Sequence, residues 1–131
     1  MREPRAVIEE LVDCINSRDE QTAKALFAPE CKVVMASGAE IDVDGYSHSL
    51  KRVIEAFPDM RFSVERWICE GDSVCSEEVL EGTHTGPFAG IEPTGRKIRL
   101  PMLHLSRIEG DRIVERISYH DTAGILRRLT Q

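Results

Sequence analysis

The sequence predicts an α+β domain in which helices near the N terminus pack against a long, curved and mostly antiparallel sheet. Apolar residues recur with the period of a helix in three segments before residue 58, whereas the chain from Met60 to His120 alternates with the period of a strand. Helices followed by an antiparallel meander are typical of this class, and we expect the sheet to close like a cone over the helices. A length of 131 residues predicts one domain, residues 1–131.

The first two helices have recognisable start signals. Pro4 occupies a first-turn position that tolerates proline. It precedes an apolar face formed by Ile8, Leu11, Val12 and Ile15. Ser17 and Glu20 have the spacing of a capping box, which predicts a short second helix that buries Ala23, Leu26 and Phe27 and ends at Pro29.

The remaining elements follow from periodicity and turn residues. We predict a strand at 31–36, a third helix from Tyr46 to Phe57 that stops before Pro58, strands at 60–70, 73–85, 97–108 and 112–120, and a last helix at 122–129. Pro101 lacks a backbone N–H, so its strand is expected to lie at a sheet edge or to carry a bulge there.

Charge and composition exclude several functions. The net charge of −6 and the pI near 5.2 argue against a nucleic-acid partner, which requires clustered Lys and Arg. The charged N terminus has no signal-peptide core, and no later segment has the apolar length of a membrane span. These features predict a cytoplasmic protein that does not bind membranes. The histidines have no metal-ligand spacing, so we expect no metal. The chain also has no Gly-rich phosphate-binding loop, and we expect no cofactor.

The four cysteines are expected to be buried free thiols. Cys69 and Cys75 flank a turn at Gly71-Asp72, and a two-residue loop places Cys69 opposite Val74 and Cys75 opposite Ile68. The two sulfur atoms then point to opposite faces of the sheet, which excludes a disulfide between them.

A second turn, at Gly110-Asp111, predicts the composition of one sheet face. A two-residue loop without a bulge gives the pairs Ile108–Ile113, Ser106–Glu115, His104–Ile117, Met102–Tyr119 and Leu100–Asp121. This face is mostly apolar but contains His104 and Asp121, about 13 Å apart along the strands. Apolar walls with a few polar groups are typical of a ligand cavity, which His84 would enter from the open end. Glu115 and Arg116 are interpreted as part of a solvated face.

Five segments resemble the SnoaL-like polyketide cyclase family of the nuclear-transport-factor-2-like superfamily, and the resemblance covers essentially the whole chain. They are the helix-helix-strand beginning, AFPD at 56–59, GTHTGPFAGIEPTGR at 82–96, HLSRIEGDRIVE at 104–115 and YHDTAGILRRL at 119–129. The resemblance implies a cone-shaped α+β barrel, a homodimer packed through the outer sheet, and a deep pocket for an apolar small molecule. In some members that pocket performs cofactor-free aldol ring closure of a polyketide ester.

For that chemistry, Asp121 is the candidate general base and acid. His104 and His84 are the candidate donors to a developing enolate. The candidate wall residues are Tyr119, Ile117, Met102, Leu100, Phe57 and Phe88.

Each polar candidate also has a structural interpretation. Asp121 is placed to cap the last helix, His104 to serve as a hydrogen-bonded wall residue, and His84 to organise a loop, while His48 and His120 are expected to face solvent. In related cyclases the working acid lies three positions before the helix-start aspartate, where this chain has Ser118. Three functions therefore stay open: a carbonyl-compound cyclase or isomerase, a non-catalytic binding protein, and a dimeric accessory subunit.

Overall fold

The computed structural model describes residues 2–131 as four helices and six strands. In chain order these are α1 (Pro4–Ser17), α2 (Glu20–Ala25), β1 (Phe27–Val34), β2 (Glu40–Ile41), α3 (Val43–Ala56), β3 (Arg61–Glu70), β4 (Ser73–Thr83), β5 (Lys97–Glu109), β6 (Arg112–His120) and α4 (Thr122–Thr130).

The strands form one curved, unclosed sheet in the order β2-β1-β6-β5-β4-β3. The β1–β6 pair is parallel and the other pairs are antiparallel, so the sheet is mixed. Val7, Ile8 and Leu11 on α1 are completely buried and belong to the core cluster that α1 shares with the sheet. The predicted class and architecture are confirmed.

The entry to the second helix differs from the prediction. Asp19, not Ser17, caps α2, because its carboxylate accepts the Thr22 N–H at 3.1 Å. The Ser17 hydroxyl instead donates to the Cys14 carbonyl. The helix ends at Ala25, and Pro29 lies inside β1, which starts four residues before the predicted strand.

The Gly110-Asp111 turn is present, but the strand after it contains a bulge. Both turn residues have positive φ, as a two-residue hairpin requires. Ile108 pairs with Ile113 as predicted, but Arg107 then pairs with Glu115, which makes Val114 an extra residue. Because side chains alternate between the two faces of a strand, one extra residue places every later side chain of β6 on the face opposite to the predicted one.

Two further expectations concern β5 and the cysteines. The β5–β6 ladder ends at the pair Met102–His120, so at Pro101 β5 is bonded on one side only, to β4. Cys69 pairs with Val74 and Cys75 with Ile68, as predicted. All four cysteines are free, but the prediction that all are buried is wrong, because Cys69 is exposed and Cys75 is half-buried.

Candidate acid–base site

A cavity opens between the concave side of the sheet, α3 and α4, and it has two adjoining parts. The outer chamber has a volume of about 600 Å³. The inner pocket has a volume of about 110 Å³ and ends against the centre of the sheet. Met35, Val53 and Met102 line both parts, so the two lie side by side.

The inner pocket contains a cluster of charged and polar side chains from three neighbouring strands. Glu78 on β4 is the centre of the cluster: its Oε2 accepts from His104 Nδ1 at 2.8 Å and from the Ser76 hydroxyl at 2.7 Å. Arg116 on β6 places Nη2 3.5 Å from the same oxygen and donates from Nη1 to Ser106 Oγ at 2.9 Å. All five side chains are buried.

The charges of this cluster follow from burial and proximity. Burial raises the pKa of Glu78, but His104, Arg116 and the Ser76 hydrogen bond outweigh burial and hold it well below its usual range. Burial and the positive charge of Arg116 lower the pKa of His104, and together they outweigh the attraction of Glu78. At neutral pH the cluster therefore contains a carboxylate, a guanidinium and a neutral imidazole.

The hydrogen bond to Glu78 determines which nitrogen of His104 carries the proton. A carboxylate only accepts, so Nδ1 must be the donor and Nε2 keeps a free lone pair. Within residues 2–131 no hydrogen bond engages Nε2, and His104 lines the inner pocket. The pocket therefore holds a nitrogen base whose tautomer is fixed by a buried carboxylate.

Five of the predicted site residues lie in the cavity wall. Phe57, Phe88, Leu100 and Met102 line the outer chamber, and His104 lines the inner pocket. The strands and the end of α3 therefore bring the apolar candidates together around the polar end.

Ile117 and Tyr119 do not lie in this wall, and their predicted placement is wrong. They pair with Leu105 and Leu103 on the outer, convex face of the sheet, where Tyr119 is 53% exposed. The bulge at Val114 is the reason, because it turns these two side chains outward and turns Arg116, Ser118 and His120 inward.

Asp121 also lies outside the cavity. It caps α4 by accepting the Gly124 N–H at 2.9 Å, and its exposed carboxylate contacts Arg127 at 3.2 Å. The expected pairing with Leu100 is wrong, because the β5–β6 ladder ends at Met102.

His84 is completely buried at the end of β4, where it organises the loop to β5. Its Nδ1 accepts the Thr94 N–H at 3.2 Å and lies 2.9 Å from the Thr94 hydroxyl, and its ring packs against Phe57. These contacts match the loop-organising interpretation of His84. The residue lies beside the cavity wall and is not among the residues that line it.

The capping geometry predicts how Asp121 variants behave. Asn caps helices as well as Asp, so Asp121→Asn should leave the free energy of unfolding unchanged within about 0.5 kcal/mol, whereas Asp121→Ala should lower it by about 1 kcal/mol. Urea denaturation of both variants checks this. A large loss of stability in Asp121→Asn would contradict a role confined to capping.

Sequence reasoning missed the partners of His104. Arg116 was assigned to a solvated face but is 1% exposed, and His120, expected in solvent, lines both parts of the cavity. The sequence pattern did not single out Glu78. The adjacent apolar pair Ile113-Val114 is the one signal of the bulge, because it interrupts the alternation.

The fold and this cavity define a class of small α+β pocket domains, and comparison with known proteins identifies the family. The model of the SnoaL-like polyketide cyclases matches residues 5–129, so the chain belongs to that family. No curated protein matches the chain.

Solved structures agree with this assignment. Wild-type IdmH of Streptomyces antibioticus, assigned as a polyketide cyclase, has a TM-score of 0.90 at 30% identity, with 99% of this chain and 100% of that chain covered. AclR of Streptomyces galilaeus, assigned as a hydroxylase, has a TM-score of 0.88 at 23% identity, with 96% and 80% covered. A SnoaL-like protein of Jannaschia has a TM-score of 0.88 at 19% identity, with 97% and 91% covered. The last two likenesses concern the fold alone.

Proposed function

We propose that this protein is an enzyme that transfers protons on an apolar carbonyl compound without a cofactor, in an aldol-type cyclisation or an isomerisation. The observation that carries the proposal is the Glu78–His104 hydrogen bond of 2.8 Å at the closed end of an apolar cavity. It leaves Nε2 of His104 unprotonated and without a hydrogen-bond partner among residues 2–131, on a side chain that lines the pocket.

The proposed step begins with a carbonyl compound whose α-carbon lies against His104. Nε2 takes the α-proton, the C–H bond breaks, and its electron pair moves onto the carbonyl oxygen as an enolate. Arg116 stabilises that oxygen, since its Nε–H is buried and has no partner among residues 2–131. Glu78 stabilises the imidazolium that forms, in the way a carboxylate supports a catalytic histidine.

Completion returns the proton. In a cyclisation the enolate carbon attacks a second carbonyl group of the same molecule, forming a C–C bond, and the His104 imidazolium protonates the new alkoxide. In an isomerisation the imidazolium protonates a different carbon of the conjugated enolate. Either route leaves the enzyme unchanged and balances without an external reagent.

His104 is a better base than Glu78 for this step. A general base works best when its pKa lies near the working pH. His104 and Arg116 hold the pKa of Glu78 well below its usual range despite burial, whereas the imidazole of His104 is neutral at pH 7 and keeps a free lone pair on Nε2. The carboxylate therefore orients the imidazole, and the imidazole moves the proton.

The test is exchange of α-protons for deuterium in a panel of apolar ketones led by 2-tetralone, followed by proton NMR. We expect the wild-type protein to accelerate exchange above the buffer rate. Saturable binding of the ketones without acceleration would contradict catalysis and would favour a binding protein, while no binding of any ketone would contradict the pocket's assignment as a ligand site.

We also propose that two copies pair through the outer face of the sheet. Ile68, Leu103, Leu105 and Tyr119 are exposed there by 60%, 39%, 37% and 53%. Registers across β3 to β6 place Ile68 and Leu105 in one row and Leu103 and Tyr119 in the next. Contiguous apolar surface of this kind favours association, and the family expectation is a second copy of the same chain.

Replacing Leu105 with lysine should therefore convert a dimer into a monomer. The substituted ammonium group would have to be buried without a partner in the interface. Light scattering coupled to gel filtration measures the mass, and His48→Lys on the exposed side of α3 is the control, which should stay dimeric. A wild-type protein that is monomeric at micromolar concentration would contradict the proposal.

A further inference from the structure

His120 lies where the outer chamber meets the inner pocket, and it lines both. Its side chain lies on the inner face of β6, as do those of Arg116 and Ser118. It is paired with Met102 at the end of the β5–β6 ladder. Its predicted position was in solvent, and the proposed acid–base step does not use it.

The imidazole of His120 has an unmet hydrogen-bonding requirement. Its Nδ1 is buried and has no partner among residues 2–131. Buried polar atoms are nearly always paired, and an exception requires an explanation. The neighbouring Asp121 does not supply the partner, because its carboxylate accepts from Gly124 and contacts Arg127.

The position of His120 relative to His104 is fixed by the sheet. His104 is paired with Ser118, so His120 is its diagonal neighbour on the same face. Diagonal neighbours on adjacent antiparallel strands lie about 7–8 Å apart. Besides His120, the wall common to both cavity parts consists of the apolar residues Met35, Val53 and Met102 and one further polar residue, Ser49.

We infer that His120 binds a second oxygen function of the substrate, a hydroxyl or a carbonyl group, while the reacting carbonyl lies at His104 and Arg116. The substrate class is then an apolar skeleton of at least ring size with two oxygen functions at opposite ends. A neutral imidazole has one donor and one acceptor, so it serves either function. Burial lowers the pKa of His120, which agrees with a neutral ring. This inference rests on the proposed function for the position of the reacting carbonyl.

The test uses two probes that differ by one oxygen: 2-tetralone, and 6-hydroxy-2-tetralone, whose hydroxyl and carbonyl groups lie at opposite ends of two fused rings. Dissociation constants are measured by NMR titration for wild type, His120→Phe, His120→Gln and the surface control His48→Gln. Phe keeps the ring and removes both nitrogens, and Gln keeps a donor and an acceptor.

We expect the wild type and His48→Gln to bind the hydroxylated probe about fivefold more tightly, which corresponds to one neutral hydrogen bond. His120→Phe should lose that preference while its affinity for 2-tetralone stays within about twofold, and His120→Gln should retain part of it. A wild-type protein without the preference, or a preference that survives in His120→Phe, would overturn the inference.

The two proposals fail separately. Deuterium exchange reports on His104, whereas the affinity ratio of the two probes reports on His120. If the wild-type protein accelerates exchange but His120→Phe keeps the wild-type ratio of affinities for the two probes, the role of His120 is overturned and the acid–base proposal stands. A ratio that depends on His120 without any exchange overturns catalysis and supports His120 as a ligand-binding residue.

Discussion

Replacing Arg116 with methionine is expected to lower the free energy of unfolding by about 3–5 kcal/mol. The guanidinium is 1% exposed and lies 3.5 Å from Glu78, so its removal leaves a buried carboxylate without its permanent positive charge. Ser106 loses the Arg116 hydrogen bond as well. Urea denaturation monitored by circular dichroism measures the change.

Two controls separate charge from packing. Arg107→Met removes an arginine from an exposed ion pair with Glu109 and should change stability by at most about 0.5 kcal/mol. The double variant Glu78→Leu with Arg116→Met removes both buried charges and should recover most of the loss, since apolar replacement of a whole buried pair is often neutral. A stable Arg116→Met single variant would contradict the buried ion pair.

Replacing His104 with glutamine is expected to slow deuterium exchange in the best ketone substrate by about 10²–10⁴-fold, the usual contribution of a general base. Glutamine can still donate to Glu78, so the fold should persist, but an amide has no basic nitrogen to take the α-proton. His48→Gln, on the exposed side of α3, should exchange at the wild-type rate.

The pH dependence of exchange has a defined sign. Burial and Arg116 lower the pKa of His104, so its base form is already populated at neutral pH. Activity should therefore be constant around pH 7 and fall only below the ordinary imidazole value of about 6.5. Activity that is still rising above pH 7 would contradict a histidine with a lowered pKa.

Much of the fold could be predicted because its signals are local. Helix periodicity, the prolines at positions 4 and 58, and the turns at Gly71-Asp72 and Gly110-Asp111 correctly located α1, α3 and the two hairpins. The cap of α2 was predicted at the wrong residue: the capping-box spacing from Ser17 to Glu20 favours Ser17, but Asp19 has a capping side chain as well and is the residue that caps the helix.

The site was predicted only in part, because it depends on one non-local feature. In the predicted register, which has no bulge at Val114, the side chains of Ile117 and Tyr119 face inward and that of Arg116 faces solvent. The usual check, apolar inside and polar outside, selects the wrong register here, because the outer face carries exposed apolar residues while the inner face of β6 is polar.

His104 was a correct candidate for the cavity wall because its position on β5 precedes the turn and does not depend on the bulge. Its chemistry could not be predicted, since that depends on Glu78 across the β4–β5 ladder and on Arg116 across the shifted β5–β6 ladder. A donor to an enolate was expected, and the geometry supports a base.

The most direct test of the proposed acid–base site is the ¹⁵N spectrum of the histidine side chains at pH 7, with the His104 signals assigned by their absence in His104→Gln. We expect a neutral His104 with the proton on Nδ1 and none on Nε2, and no titration until the pH falls below about 6.5. An imidazolium at pH 7, or a neutral ring with the proton on Nε2, would show that no free base faces the pocket and would contradict the proposed acid–base site.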